Sequence, residues 1–106
     1  MISYVGGARA MMSVLEKYPE IRNLVGEVER IFQELYRNSN PDSEYYSEIQ
    51  RTLYEIKDLG KCESIGGFSA YISSITIESY PDDMLNNKKG RLISLFRMIK
   101  IILGLQ

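Results

Sequence analysis

Three arginines recur along one edge of a predicted helix near the start of the chain: Arg22, Arg30 and Arg37. At the turn per residue of an α-helix they fall within about 80° of one another, and Gly26 and Gln33 lie between them. A guanidinium binds phosphate oxygens through parallel hydrogen bonds, and a glycine lets a phosphodiester backbone come close to the helix. The alternative is a solvated face on which Glu27 and Glu34 each pair with the arginine three residues further on. The spacing of this arginine edge leaves both interpretations open.

A second stripe of polar and aromatic residues is predicted on the next helix. Its members recur at intervals of three or four residues: Gln50, Tyr54, Lys57 and Lys61. Aromatic rings pack against the bases and sugars of RNA, and lysine amines neutralise phosphates, so this tyrosine–lysine stripe fits an RNA contact. A solvated helix end accounts for the same residues without a ligand.

Catalytic and metal-binding groups are scarce. The sequence has no histidine, and Cys62 is its only cysteine. Histidine is the commonest general base and transition-metal ligand, and a lone thiol can form neither an intramolecular disulfide nor a cysteine cluster. Carboxylates could hold a hard cation, but at turns and helix starts they usually cap the backbone. The two such groups are Asp82 and Asp83 with Glu78, and Glu44 with Glu48. We therefore expect no catalytic residue, no metal and no cofactor.

Basic residues dominate the end of the chain. The first 83 residues contain 14 acidic and eight basic residues, a net charge of −6, whereas residues 84–106 contain five basic residues and no acidic one. The five are Lys88, Lys89, Arg91, Arg97 and Lys100. A local positive surface can therefore exist in a chain whose total charge is only −1.

The last predicted helix is apolar on nearly all sides. Ile93 and Ile101 lie outside its main apolar face, with Arg97 between them and Lys100 beside them. The helix could be buried with basic ends, could contact another subunit, or could lie on an anionic membrane. A membrane helix needs a continuous polar face, which the two isoleucines interrupt, so we expect no membrane binding. We predict that these four residues form a protein interface through which copies associate.

Hydrophobic periodicity predicts an all-α fold, a compact bundle of about five helices in one domain over residues 1–106. Three helices have the clearest pattern: 20–37, 43–59 and 91–103. Pro19 suits the first position of the first helix, and Gly60 is predicted to end the second in a left-handed conformation. The main apolar face of the third consists of Leu92, Leu95, Phe96, Ile99, Ile102 and Leu103.

The remaining segments have weaker patterns. Residues 8–17 are predicted to form a short helix, residues 61–67 a loop, and Asp82 can begin a helical turn. Residues 68–79 combine helical spacing with β-branched alternation and fit either a helix or a strand. An internal similarity favours the helix, because VGGARAMMS at 5–13 resembles IGGFSAYIS at 65–73.

Composition places the chain among ordinary globular proteins. Hydrophobic residues make up 44% and charged residues 25% of the sequence. No apolar run approaches the roughly 20 residues of a membrane-spanning helix. The beginning, MISYVGGARAMM, has no basic region ahead of an apolar one and does not resemble a secretory signal. We therefore expect a cytoplasmic protein.

Two short motifs lie in the first long helix: Ile21-Arg22-Asn23-Leu24 and Glu27-Val28-Glu29-Arg30-Ile31. A loop, a helix with a basic end, and a lysine-rich turn before a last apolar helix follow them. This order of features resembles the small helical subunit of the type III-A CRISPR effector complex, over about residues 19–61 and more loosely over 84–105.

The resemblance implies a non-enzymatic subunit of a ribonucleoprotein that acts in antiviral defence. In that family, copies stack along the effector and line a basic channel for the guide–target RNA. Arg22 and Arg30 match the family motifs, so the implied partners are the RNA backbone and other effector-complex subunits. The alternative is a helical protein-interaction or oligomerisation module that binds no nucleic acid. The dependence of binding on salt concentration distinguishes the two functions, because phosphate contacts weaken steeply as the salt concentration rises.

Overall fold

The computed structural model describes residues 12–105, which contain six α-helices and no strand. The helices are α1 Val14–Lys17, α2 Pro19–Asn38, α3 Tyr46–Asp58, α4 Ile65–Ser74, α5 Asp82–Leu85 and α6 Lys89–Leu103. Short 3-10 turns, Leu59–Lys61 and Ile77–Ser79, follow α3 and α4. The predicted all-α class is confirmed. The part of the predicted helix 8–17 that precedes Met12 lies outside the described residues.

The long helix α2 is the centre of the bundle and packs against both α3 and α6. Pro19 occupies its first turn, as predicted, where a missing N–H leaves no carbonyl unsatisfied. One face is buried at positions three or four residues apart: Ile21, Val25, Val28, Phe32 and Leu35. This periodicity confirms the predicted helix 20–37 and leaves the opposite face of α2 free to carry polar groups.

The second predicted helix, 43–59, is confirmed, but its ends differ from the prediction. The Asn40 side chain accepts a hydrogen bond from the N–H of Asp42 (2.8 Å), and the Ser43 hydroxyl accepts one from the N–H of Tyr45 (3.1 Å). These bonds stabilise turns, and α3 therefore begins at Tyr46. The prediction for Gly60 is wrong, because the chain continues into a 3-10 turn in which the N–H of Cys62 bonds to the carbonyl of Leu59 (3.2 Å).

The helix α4 resolves the ambiguous segment. Its N-cap is Ser64, whose hydroxyl accepts a hydrogen bond from the N–H of Gly67 at 3.1 Å. The predicted loop 61–67 is therefore wrong for its last three residues. After Ser74 the chain is extended at Ile75, a 3-10 turn begins at Ile77, and both isoleucines are buried. The β-branched alternation thus describes a short extended segment after the helix, not a strand.

Two left-handed asparagines connect α5 to α6. Asn86 and Asn87 have φ values of 49° and 71°, which asparagine tolerates better than most residues. The helical turn predicted at Asp82 is confirmed, and α6 begins two residues before the predicted start at Arg91. At its other end Gly104 has φ 78°, and the N–H of Leu105 bonds to the carbonyl of Lys100 (2.8 Å).

A single cluster of 20 buried hydrophobic side chains joins the helices of the described region. Thr52 is the one fully buried polar side chain among these residues, and its hydroxyl lies 2.9 Å from that of Tyr80. Lys89 donates to the carbonyl of Tyr80 (2.8 Å) and pairs with Asp82 (3.2 Å). These contacts fix the segment before α5 on the bundle. Within residues 12–105, no helix is both long and apolar enough to cross a bilayer.

Candidate nucleic-acid interface

The arginine edge lies on the solvent-exposed side of α2. Arg22, Arg30 and Arg37 are all exposed, and none forms an ion pair within residues 12–105. A side chain built at Gly26 would meet no atom within 4 Å, so the helix surface is open there. A shallow depression of about 300 Å³ runs along this edge and is lined by Gly26, Glu29, Arg30, Gln33 and Arg37. Phosphate-sized groups can therefore reach the backbone between the guanidiniums.

The ion pairs expected for a merely solvated face do not form. Glu27 instead accepts a hydrogen bond from Nε of Arg91 at 2.8 Å, across the α2–α6 contact. Glu34 forms no ion pair within the described residues. Among the described residues, the guanidiniums of Arg30 and Arg37 thus have no side-chain partner and keep their donors for a ligand. Glu29 is the one carboxylate that lines the depression, and it leaves the two arginines there in excess.

The tyrosine–lysine stripe lies on α3 and the turn that follows it. Tyr54 is 58% exposed, and Lys57 is also exposed. Lys61 lies 3.8 Å from the carboxylate of Asp58, in a pair that is open to solvent on both sides. Gln50 is not free for a ligand, because its amide donates to the hydroxyl of Tyr36 at 3.3 Å. Tyr54 and Lys57 are therefore the members of this stripe best placed to contact RNA.

The arginine edge and the tyrosine–lysine stripe border the same helix–helix seam. Tyr36, next to Arg37, stacks on Tyr46 at a centroid distance of 5.2 Å and accepts the hydrogen bond from Gln50. The antiparallel course of α2 and α3 then places Tyr54, one turn beyond Gln50, alongside the earlier turns of α2. The arginine edge extends over the 15 residue steps from Arg22 to Arg37, or about 22 Å of helix. The half-buried side chains of Tyr36, Tyr46 and Gln50 lie between the two exposed sets.

The predicted interface residues of α6 are not equivalent. Ile101 is 55% exposed, but Ile93 is half-buried and packs against the core. Ile93 lines a cavity of about 150 Å³ together with Arg97 and Lys100. The expected exposed pair of isoleucines is therefore not found. Instead Met98 and Ile102, each 39% exposed, accompany Ile101 on the surface. The predicted main apolar face is buried at Leu92, Leu95, Phe96 and Ile99, whereas its member Ile102 is exposed.

The acidic groups considered as cation ligands have structural partners. The Asp83 carboxylate accepts a hydrogen bond from the hydroxyl of Tyr45 (3.2 Å), Asp82 pairs with Lys89, and Glu48 pairs with Arg51. In the part of the chain that the structure describes, no three metal-binding side chains form a group. Burial, with a contribution from Asp83, raises the pKa of Tyr45 and keeps this hydroxyl a donor. The Tyr45–Asp83 contact joins residues 38 apart in sequence, and no local motif predicts it.

Comparison with known proteins does not assign the chain to a family. No protein-family model matches it, and no curated protein or solved structure is significantly similar to it. The class defined by the fold and the site is thus a small all-α bundle with an exposed arginine edge that forms no ion pair within residues 12–105. The resemblance to a CRISPR small subunit rests on the two short motifs of α2 and the order of the helices.

Proposed function

We propose that this chain is a non-enzymatic, RNA-backbone-binding subunit of a ribonucleoprotein, of the kind represented by the small helical subunit of type III-A CRISPR effectors. The arginine edge carries the proposal. Its guanidiniums are exposed, unpaired within residues 12–105 and arranged around a glycine where the helix surface is open. An exposed arginine whose guanidinium N–H groups have no other partner is well suited to binding phosphate. The proposed partners are a guide–target RNA and neighbouring effector subunits.

The proposed contact is independent of RNA sequence. Arginines on a helix surface bind phosphates and set the position of a strand, whereas reading the sequence requires contacts to base edges. Tyr54 adds an exposed aromatic ring on the neighbouring helix α3, and stacking on it is tolerant of base identity. The subunit therefore holds RNA in register for partner subunits and carries out no chemistry on it.

The test measures RNA binding of the full chain by fluorescence anisotropy over a range of salt concentrations. The probe is a labelled single-stranded RNA, with a matched RNA duplex as a second probe. Replacing Arg22, Arg30 and Arg37 by alanine removes up to three phosphate contacts and should lower the slope of log Kd against log salt by about 2 on the single strand. Circular dichroism should remain unchanged, because these side chains lie off the buried face of α2.

The matched control is Arg51→Ala. Arg51 is also an exposed arginine, but it lies on α3 and pairs with Glu48. Its removal should leave the salt slope unchanged, whereas Arg30→Ala alone should lower it by about 0.7. Equal slopes for the wild type and the triple variant, or no binding to either RNA at low salt, would refute the proposal.

A protein-interaction module without RNA binding is the second candidate. The exposed Met98, Ile101 and Ile102 on α6 favour it, since apolar side chains grouped on a surface often mark an interface. In that case, association through α6 should persist at high salt while the arginine variants behave like the wild type.

A further inference from the structure

A strip of apolar side chains on α6 is open to solvent. Met98, Ile101 and Ile102 are 39%, 55% and 39% exposed, and they lie within about 100° of one another around the helix. Ser94, one turn earlier on the same side, is exposed and small. This α6 strip has no covering element within residues 12–105. An apolar surface of this kind is stabilised when another apolar surface removes it from water.

The orientation of α6 against α2 shows what lies beside the strip. Arg91 pairs with Glu27, and Lys88 lines the same cleft as Leu35, near the end of α2. The two helices therefore run antiparallel. Seven residues beyond Arg91 lies Met98, and seven residues before Glu27 lies Glu20, each a step of about 10 Å. From these equal steps along antiparallel helices we infer that Glu20 lies near the level of Met98, on the α2 side of the strip.

Arg97 lies on the opposite side of the strip at the same level. Around the helix axis, Arg97 is the next residue after Ile101 on the side that points away from Arg91. Its side chain is exposed. Neither Arg97 nor Glu20 forms an ion pair within the described residues. Lys100 lies further round the helix, and both Arg97 and Lys100 line the cavity that Glu78 also lines. The strip therefore has an unpaired anion on one side and an unpaired cation on the other.

Such a surface is complementary to a copy of itself. A two-fold axis that lies in the interface and parallel to the strip brings each residue of the strip onto its own copy and exchanges the two sides. We propose that two copies of this chain form a closed dimer through the α6 strip, with the α6 helices side by side and parallel. Arg97 of each copy then faces Glu20 of the partner subunit. The inference is independent of RNA binding, because the arginine edge lies on the other side of α2.

Charge exchange tests this arrangement by sedimentation velocity on the full chain. Arg97→Glu places two like-charged contacts in the dimer and should raise its Kd about tenfold, and Glu20→Arg should do the same. An equimolar mixture of the two variants should restore wild-type affinity as a heterodimer, because both of its contacts again join opposite charges. The chain with both substitutions should dimerise with itself. Circular dichroism checks that each variant remains folded.

Disulfide cross-linking tests whether the helices are parallel. In a Cys62→Ser background, Ser94→Cys and Ile101→Cys are made separately and oxidised. The two positions are seven residues apart on one side of α6, and in a parallel dimer both should cross-link to their own copies. In an antiparallel dimer, only a position next to the two-fold axis could cross-link to its own copy.

The matched control for the charge exchange is Arg37→Glu, a charge reversal on the arginine edge. It should leave the Kd of the dimer unchanged.

Three results would overturn the proposal. A wild-type chain that stays monomeric at the highest soluble concentration excludes the dimer. A mixture of the two charge variants that fails to associate excludes the reciprocal pair. Cross-linking at only one of the two cysteines excludes the parallel arrangement, and species larger than a dimer would show an open, head-to-tail contact instead.

Discussion

The hydrogen bond between Thr52 and Tyr80 should be a main determinant of how the segment before α5 is held. Thr52 is fully buried, and its hydroxyl lies 2.9 Å from that of Tyr80, 28 residues further along the chain. Tyr80→Phe removes the partner and leaves the threonine hydroxyl in the core. Leaving a buried polar group unsatisfied destabilises a protein by about 1–3 kcal/mol.

The two single variants and the double variant should differ in a characteristic way. Thr52→Val leaves Tyr80 without its partner, but Tyr80 is only partly buried and water can replace the lost bond, so we expect a loss of about 1 kcal/mol. Tyr80→Phe should be the more harmful change. In the double variant no buried hydroxyl is left unsatisfied, and the total loss should be smaller than the sum of the two single losses.

Chemical denaturation of the four proteins measures this coupling, and thermal unfolding gives an independent comparison. For a domain near 100 residues, a loss of 1 kcal/mol lowers Tm by about 4–8 °C. Strictly additive losses in the cycle would refute the reasoning, since they would show that the two hydroxyls do not interact. A Tyr80→Phe variant as stable as the wild type would show that the Thr52 hydroxyl is satisfied elsewhere, for example by the preceding turn of α3.

Three further outcomes follow from the described contacts. Phe32→Ala should lower the free energy of unfolding by about 3–5 kcal/mol in urea denaturation, because this ring is fully buried in α2. Gly26→Ala should raise it by up to about 1 kcal/mol, since the position is helical and open, and should weaken RNA binding if phosphates approach there. Burial raises the pKa of Tyr45 and Tyr80 above 10.0. The contribution of these two tyrosines to stability should therefore be constant below about pH 10 and fall above it, because the unfolded chain releases these protons first, and Tyr80→Phe should reduce the fall.

The long helices could be predicted from the sequence because each buries one regular face. The spacing from Ile21 to Leu35 is sufficient to identify α2, and the predicted α3 and α6 are correct apart from their ends. The ends depend on local hydrogen bonds that compete with one another. Ser43 was a possible helix cap but stabilises a turn. Ser64 caps α4, and the first turn of α4 therefore contains two glycines.

The candidate site was less predictable than the fold. Exposure of the arginines follows from the helical period alone. That Arg30 has no ion pair among the described residues does not follow from the period, because its expected partner Glu27 pairs with Arg91 of another helix. On α6, the sequence predicted Ile93 and Ile101 as the exposed apolar residues, whereas the structure exposes Met98 and Ile102 together with Ile101. When a helix is apolar on nearly all sides, the residues that stay exposed depend on how the helix docks on the others, which is a tertiary property.

The position of Cys62 makes the chain suitable for measuring local opening without an introduced label. The carbonyl of Cys62 accepts a hydrogen bond from the N–H of Val14 (2.7 Å), so this residue lies where α1 docks at the end of α3. Burial chiefly, with the nearby Asp58, raises the pKa of its thiol. Cys62 is half-buried, and only a thiolate reacts with an alkylating reagent, so Cys62 should react more slowly than a free thiol and faster once α1 separates from the bundle. The increase of its alkylation rate at low denaturant, compared with that of a free thiol, then reports opening at this end of the molecule.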